Sequence, residues 1–179
     1  MKKNIPNCIT VFRLLLVFVF IFLFLSDIEN KNFYCVVTFV LSGISDALDG
    51  FLARRFQVVS NFGKLMDPLA DKLMQITVAV CMASVHPSLI WVPGFLILKE
   101  LMMICGATKL LRKDKVVVQA NFYGKLASVI YFAVFFVILV FPGMNPWLEL
   151  ILCLSFVMVS ALAFFKYIRE YLFVHKNKE

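Results

Sequence analysis

The chain has 179 residues, of which 62% are hydrophobic and 16% charged, and its net charge is +7. A soluble domain is about 45–50% apolar and about 25% charged. This composition therefore excludes an ordinary soluble fold and predicts an all-α integral membrane bundle, one domain over residues 1–179. The basic residues sit in short segments between apolar runs, an arrangement that suits anionic lipid headgroups rather than nucleic acid.

The first apolar run, Asn7 to Leu25, follows Lys2 and Lys3. It is too long for a signal-peptide core and no small-residue cleavage site follows it, so it reads as the first span. "SDIENKN" is a turn. The second span runs from Phe33 to about Arg55, and "RFQVVSN" is a loop. The third runs from Phe62 to Val85 and ends at "HPS", where proline biases the residue before it away from helix. The fourth covers Leu89 to Leu111, the basic loop "RKDKVVVQ" follows, and the fifth covers Ala120 to Phe141. "PGMNP" is a turn, and the sixth span runs from Trp147 to Phe173. Each run approaches the ~20 residues that a spanning helix needs.

Six spans place Lys2, Lys3, Arg54, Arg55, the Lys109–Lys115 segment and the C-terminal tail on one side, and Lys31 on the other. The positive-inside rule then puts both termini in the cytoplasm. Trp91 and Trp147 fall near outer helix ends, as interfacial tryptophans do. The five cysteines form no CxxC pair and read as packing residues. His86 and His175 lack metal-ligand spacing and read as exposed structural histidines.

Four carboxylates stand out against this background. Asp46 and Asp49 are three residues apart, and Asp67 and Asp71 four apart, so each pair shares a helix face. A charge at the membrane centre costs on the order of 2.5–3.5 kcal/mol on insertion scales, so these residues need partners. The two segments are joined by a short loop and should be antiparallel neighbours. Facing carboxylates repel unless some are protonated or cations sit between them. Hard divalent cations prefer oxygen ligands and bind substrate phosphates, so the pair of segments reads as a metal–phosphate site. Gly50, Gly63 and Ala53 would let a bulky ligand approach the backbone, and Arg54 would reach a phosphate or a carboxylate. Tight helix packing is the competing explanation for the small residues. Asn7, Thr10 and Arg13 open the first span, where they would meet a nucleotide or diphosphate. Alternatively, Thr10 bonds its own helix and Arg13 reaches the headgroups.

The spacing D-x2-D-G-x2-A-R-x8-G-x3-D-x3-D, filled by Asp46, Asp49, Gly50, Ala53, Arg54, Gly63, Asp67 and Asp71, resembles the signature of the CDP-alcohol phosphatidyltransferase family. "NIPNCITVFRLLL" further resembles the start of its glycerophosphate- and cardiolipin-making branches. The resemblance implies transfer of a phosphatidyl group from CDP-diacylglycerol to an alcohol, with release of CMP. It implies two divalent cations, Mg²⁺ or Mn²⁺, on Asp46, Asp49 and Asp67, with Asp71 a possible further ligand and the general base. Asp46, Asp49, Gly50, Ala53, Arg54 and Gly63, with Asn7 and Thr10, would hold the CDP group. A homodimer follows from the same resemblance. Small size and the lack of an evident presequence point to a bacterial inner membrane, with the site facing the cytoplasm.

For the acceptor, glycerol 3-phosphate is the first expectation, and Lys64, Lys99, Arg112 and Lys125 are available to bind it. An internal Lys99–Glu100 ion pair is the alternative use of Lys99. Phosphatidylglycerophosphate synthases commonly show Arg-Glu-Phe and then Gly-Leu-Arg where this chain has "KELMMICGAT", and often a lysine where it has Ala127. Those departures keep cardiolipin synthesis, with phosphatidylglycerol as acceptor, as the second expectation. A divalent-cation transporter would also explain carboxylates in a membrane, and a non-catalytic structural descendant is the third class.

Overall fold

The computed structural model describes residues 5–56, 61–113 and 122–176, and side chains within 9–48, at 66, and within 69–105, 124–166 and 168–169. Every regular element among the described residues is helical: α1 (Ile5–Leu25), α2 (Lys31–Phe56), α3 (Asn61–Val85), α4 (Trp91–Lys113), α5 (Phe122–Val140) and α6 (Pro146–Lys176). Their order and bounds follow the six apolar runs to within about three residues, the tolerance normal for helix ends.

Local chemistry sets three of the connections. Between α1 and α2, Asn30 takes a left-handed conformation (φ 60°) that its short polar side chain tolerates. α3 stops at Val85 because His86 precedes Pro87 and is extended (φ −114°, ψ 92°). The single 3₁₀ turn Pro87–Leu89 then leads into α4. α6 starts on Pro146, which needs no N–H in the first turn. Asn145 caps it, its Oδ1 accepting the Trp147 N–H at 3.0 Å. These short turns make α1/α2, α3/α4 and α5/α6 neighbouring pairs, and α3 also packs on α1 and α5.

The core is mostly aliphatic, with an aromatic cluster at its centre. Tyr131 of α5 is fully buried, stacks on Phe135 (centroids 4.4 Å apart) and meets Phe156 of α6 edge-on at 5.3 Å. Phe39 of α2 stacks on Phe132 at 4.9 Å. Around this core the bundle shows an apolar exterior, including Phe18, Phe22, Ile90, Trp147, Met158 and Phe165. Exposed apolar surface on this scale marks contact with lipid or a partner. Two stretches among the described residues, Pro87–Cys105 and Pro146–Lys166, are long and apolar enough to cross a membrane. Ile9–Leu25 and Gly124–Val140 are apolar but shorter. Cys35 and Cys153 are buried as packing residues, whereas Cys105 is exposed.

One polar cluster closes the end of the bundle away from the aspartates. Glu149, in the first turn of α6, is 1% exposed, and its Oε1 lies 2.8 Å from His86 Nδ1. Ser88 Oγ donates to Glu149 Oε2 at 3.2 Å, and Trp91 Nε1 donates to the Ser88 carbonyl at 2.9 Å. His86 is therefore largely enclosed rather than exposed, because an otherwise unpaired buried carboxylate draws it in. Trp147 is exposed, as expected of an interfacial residue, but Trp91 is partly buried. The side chain of His175 lies outside the described residues.

Candidate phosphotransfer site

The motif lies on two helices. Asp46, Asp49, Gly50, Ala53 and Arg54 are on α2; Gly63, Asp67 and Asp71 are on α3. Continuous helix through both segments turns the spacings of three and four residues into shared faces. The side chains of Asp49, Gly50, Ala53, Arg54, Gly63 and Asp67 lie outside the described residues, as do those of Asn7, Lys64 and Arg112. Asp46, Asp71, Thr10, Arg13, Lys99 and Lys125 are described.

Asp46 is about half exposed and is met by Arg13, whose Nη1 lies 2.7 Å from Asp46 Oδ1. Arg13 is 1% exposed. It neither reaches out to headgroups nor lies open to a nucleotide, but delivers its charge to the motif from α1. The short distance is that of a charge-assisted hydrogen bond. Thr10, one turn earlier on α1, is fully buried.

Asp71 is enclosed by α3 itself and by α4. Gln75 Nε2, one turn on, donates to Asp71 Oδ2 at 3.1 Å. Lys72 Nζ donates to Gln75 Oε1 at 3.4 Å and lies 3.9 Å from Asp71 Oδ2. The same ammonium is 3.2 Å from Glu100 Oε1 on α4, and Lys99 Nζ is 2.9 Å from that oxygen. Lys99 thus forms the internal ion pair that was the alternative to an acceptor role. Lys125, near the start of α5, is exposed. From α5, the Tyr131 hydroxyl donates to the Gln75 carbonyl at 2.6 Å and fixes this turn of α3.

Asp71 lies within electrostatic reach of both Asp46 and Arg13, so α1, α2 and α3 converge here. Among the described residues, no three His, Cys, Asp or Glu side chains gather closely enough to hold a metal ion. The two described carboxylates are nevertheless hard oxygen donors on converging helices, one of them half open to solvent. That donor chemistry fits Mg²⁺ or Mn²⁺ better than softer metals. Periodicity could not have paired Arg13 with Asp46, or placed Lys72 against Glu100. Gln75 carried a signal that was missed: it stands four residues after Asp71 on a helix.

The sequence as a whole is similar to known proteins. A family model described as CDP-alcohol phosphatidyltransferase matches residues 3–165. Three similar bacterial proteins are each named "CDP-diacylglycerol--glycerol-3-phosphate 3-phosphatidyltransferase". The one from Wigglesworthia glossinidia brevipalpis is 39% identical over 74 residues, 41% of each chain. The one from Haemophilus influenzae is 35% identical over 92 residues, 51% of this chain and 49% of its own. The one from Rickettsia typhi is 29% identical over 126 residues, 70% of each chain. The matched stretch thus spans less than half the length of the first two relatives and more than two thirds of the third.

Proposed function

The chain belongs to the CDP-alcohol phosphatidyltransferase family, and from that premise we propose that it transfers the phosphatidyl group of CDP-diacylglycerol to glycerol 3-phosphate. The products are phosphatidylglycerophosphate and CMP. The observation that carries the proposal is the convergence of the two described motif carboxylates: Asp71 lies within electrostatic reach of Asp46 and of the arginine bound to it. The names of the similar bacterial proteins support glycerol 3-phosphate as the acceptor.

In this reading Asp46, Asp49, Asp67 and Asp71 hold two divalent cations, Mg²⁺ or Mn²⁺. Bound there, the cations would offset the diphosphate charge and stabilise CMP as it leaves. Arg13 orients Asp46 through their 2.7 Å contact. Gly50, Ala53, Arg54 and Gly63 would form the wall for the cytidine diphosphate, with Asn7 beside it, while the fully buried Thr10 supports that wall from behind rather than meeting the ligand. Asp71 takes the proton from the acceptor hydroxyl as that oxygen bonds to the lipid-bearing phosphorus and the bond to CMP breaks. Lys64, Arg112 and Lys125 supply positive charge for the acceptor phosphate, whereas the charge of Lys99 is taken up by Glu100.

The six helices span the membrane with both termini and the site on the cytoplasmic side, supported by the exposed apolar exterior and the bias of basic residues. The lipid tails of the donor then remain in the bilayer while its diphosphate enters the site. A bacterial inner membrane and a homodimer complete the proposal.

The test is an acceptor panel with purified protein, CDP-diacylglycerol and Mg²⁺ or Mn²⁺, the lipid product being identified by mass. Phosphatidylglycerophosphate, abolished by chelator and by Asp71→Asn, is the expected result. Cardiolipin from phosphatidylglycerol would make "KELMMICGAT" and Ala127 the informative departures from the synthase pattern. Metal flux into vesicles with no lipid product would favour the transporter reading instead.

A further inference from the structure

Gln75 is a fully enclosed polar side chain, 2% exposed, in a helix otherwise lined by Met74, Val78 and Ala79. Its position is unusual in chemistry rather than in conformation. Its amide stands between an anion and a cation that are adjacent in sequence. The N–H side meets Asp71 Oδ2 at 3.1 Å, and the carbonyl side meets Lys72 Nζ at 3.4 Å. The amide orientation is fixed by these charges. Turned over, it would press an NH₂ against an ammonium and a carbonyl against a carboxylate.

The charged neighbours do not close on each other. Lys72 Nζ stays 3.9 Å from Asp71 Oδ2, whereas a direct N⁺–H···O⁻ bond closes to about 2.7–2.9 Å. Glu100 draws the ammonium the other way, at 3.2 Å. On the α5 side, the Tyr131 hydroxyl holds the Gln75 carbonyl at 2.6 Å, so the helix turn that carries the amide is pinned. Three helices thus contribute to keeping Lys72 from closing on Asp71.

We propose that Gln75 is a positioning residue: its amide separates Lys72 from Asp71 and aims the Asp71 carboxylate at the reacting centre. The inference rests on the assignment of Asp71 to the transferase site. Without the amide, Lys72 closes on Asp71 and competes with the cations and the acceptor hydroxyl for the same oxygens. The defect belongs to the chemical step and to cation binding, and lipid-donor recognition is spared.

Two variants of the full chain in lipid nanodiscs separate this from a packing role. Gln75→Met keeps length and apolar bulk but removes the N–H, and Gln75→His restores an N–H donor beside an acceptor. The expected result for Gln75→Met is a fall in kcat of about tenfold or more, with KM for CDP-diacylglycerol within about twofold. Mn²⁺ binding to the substrate-free protein, followed by calorimetry, should weaken at least about threefold, as expected when an ammonium competes for one ligand. Gln75→His should recover most of both. Wild-type kcat and Mn²⁺ affinity in Gln75→Met would overturn the proposal. So would equal losses in both variants that track a shared fall in melting temperature. If the wild type makes no lipid product with any acceptor, the transferase reading fails, while the Mn²⁺ comparison still decides whether the amide separates Lys72 from Asp71. A wild type that binds no Mn²⁺ removes both.

Discussion

Arg13 on α1 and Asp46 on α2 are joined at 2.7 Å, with the guanidinium buried and the carboxylate half exposed. The cation is held by the protein interior, and the anion leans toward the open side of the site. Arg13 therefore sets where Asp46 points without standing in the path of a ligand.

Replacing Arg13 tests that relationship. Arg13→Ala removes a charged hydrogen bond, a loss of about 1.5–3 kcal/mol where the partner is charged. Melting in detergent should register it, and turnover should fall at least tenfold. Arg13→Lys keeps the charge but not the fork geometry and should fall between the two. A lysine variant equal to wild type in both assays would show that charge alone suffices.

The Glu149–His86 contact predicts a stability effect away from the chemistry. Glu149→Ala deprives His86 and Ser88 of their shared acceptor. Leaving a buried hydrogen-bonding group unsatisfied typically costs about 1–3 kcal/mol. Glu149→Gln keeps an acceptor for one partner and should lose less. Thermal or denaturant unfolding of the two variants side by side would show the order. Equal losses would mean that Glu149 acts by charge rather than by hydrogen bonding.

Gly43 on α2 faces the ring of Phe132 on α5. A Cβ built there would meet Phe132 Cε1 at 3.3 Å. Alanine gains about 1 kcal/mol in helix propensity over glycine, which a small shift of the ring offsets, so Gly43→Ala should melt close to wild type. Gly43→Leu forces the helices apart and should cost about 1–3 kcal/mol, the usual range for overpacking. A leucine variant as stable as wild type would show that the α2–α5 seam is loose.

Much of the fold was legible because its signals are local. Apolar runs near span length, broken at "SDIENKN", "HPS" and "PGMNP", marked all six helices. The aspartate spacings were legible for the same reason, since three and four residues fall on one face of any helix. Contacts between helices were not. Residues such as Phe18, Phe22 and Met158 are apolar but face outward, so hydrophobicity does not tell which face of a membrane helix packs inward. Arg13 and Asp46, 33 residues apart, could be paired only once α1 lay against α2. The same limit made His86 read as exposed when Glu149 encloses it.

The Glu149 cluster and the Tyr131 contact hold α3 at two places. The first ties the turn between α3 and α4 to the start of α6, and the second fixes α3 at Gln75, one turn from Asp71. A rod held at two points cannot swing about either, so the arm that carries Asp71 extends only about 6 Å beyond the nearer hold, at 1.5 Å per residue. A misplacement of about 1 Å can cost a hundredfold in rate, and a short arm keeps any angular error at the aspartates below that.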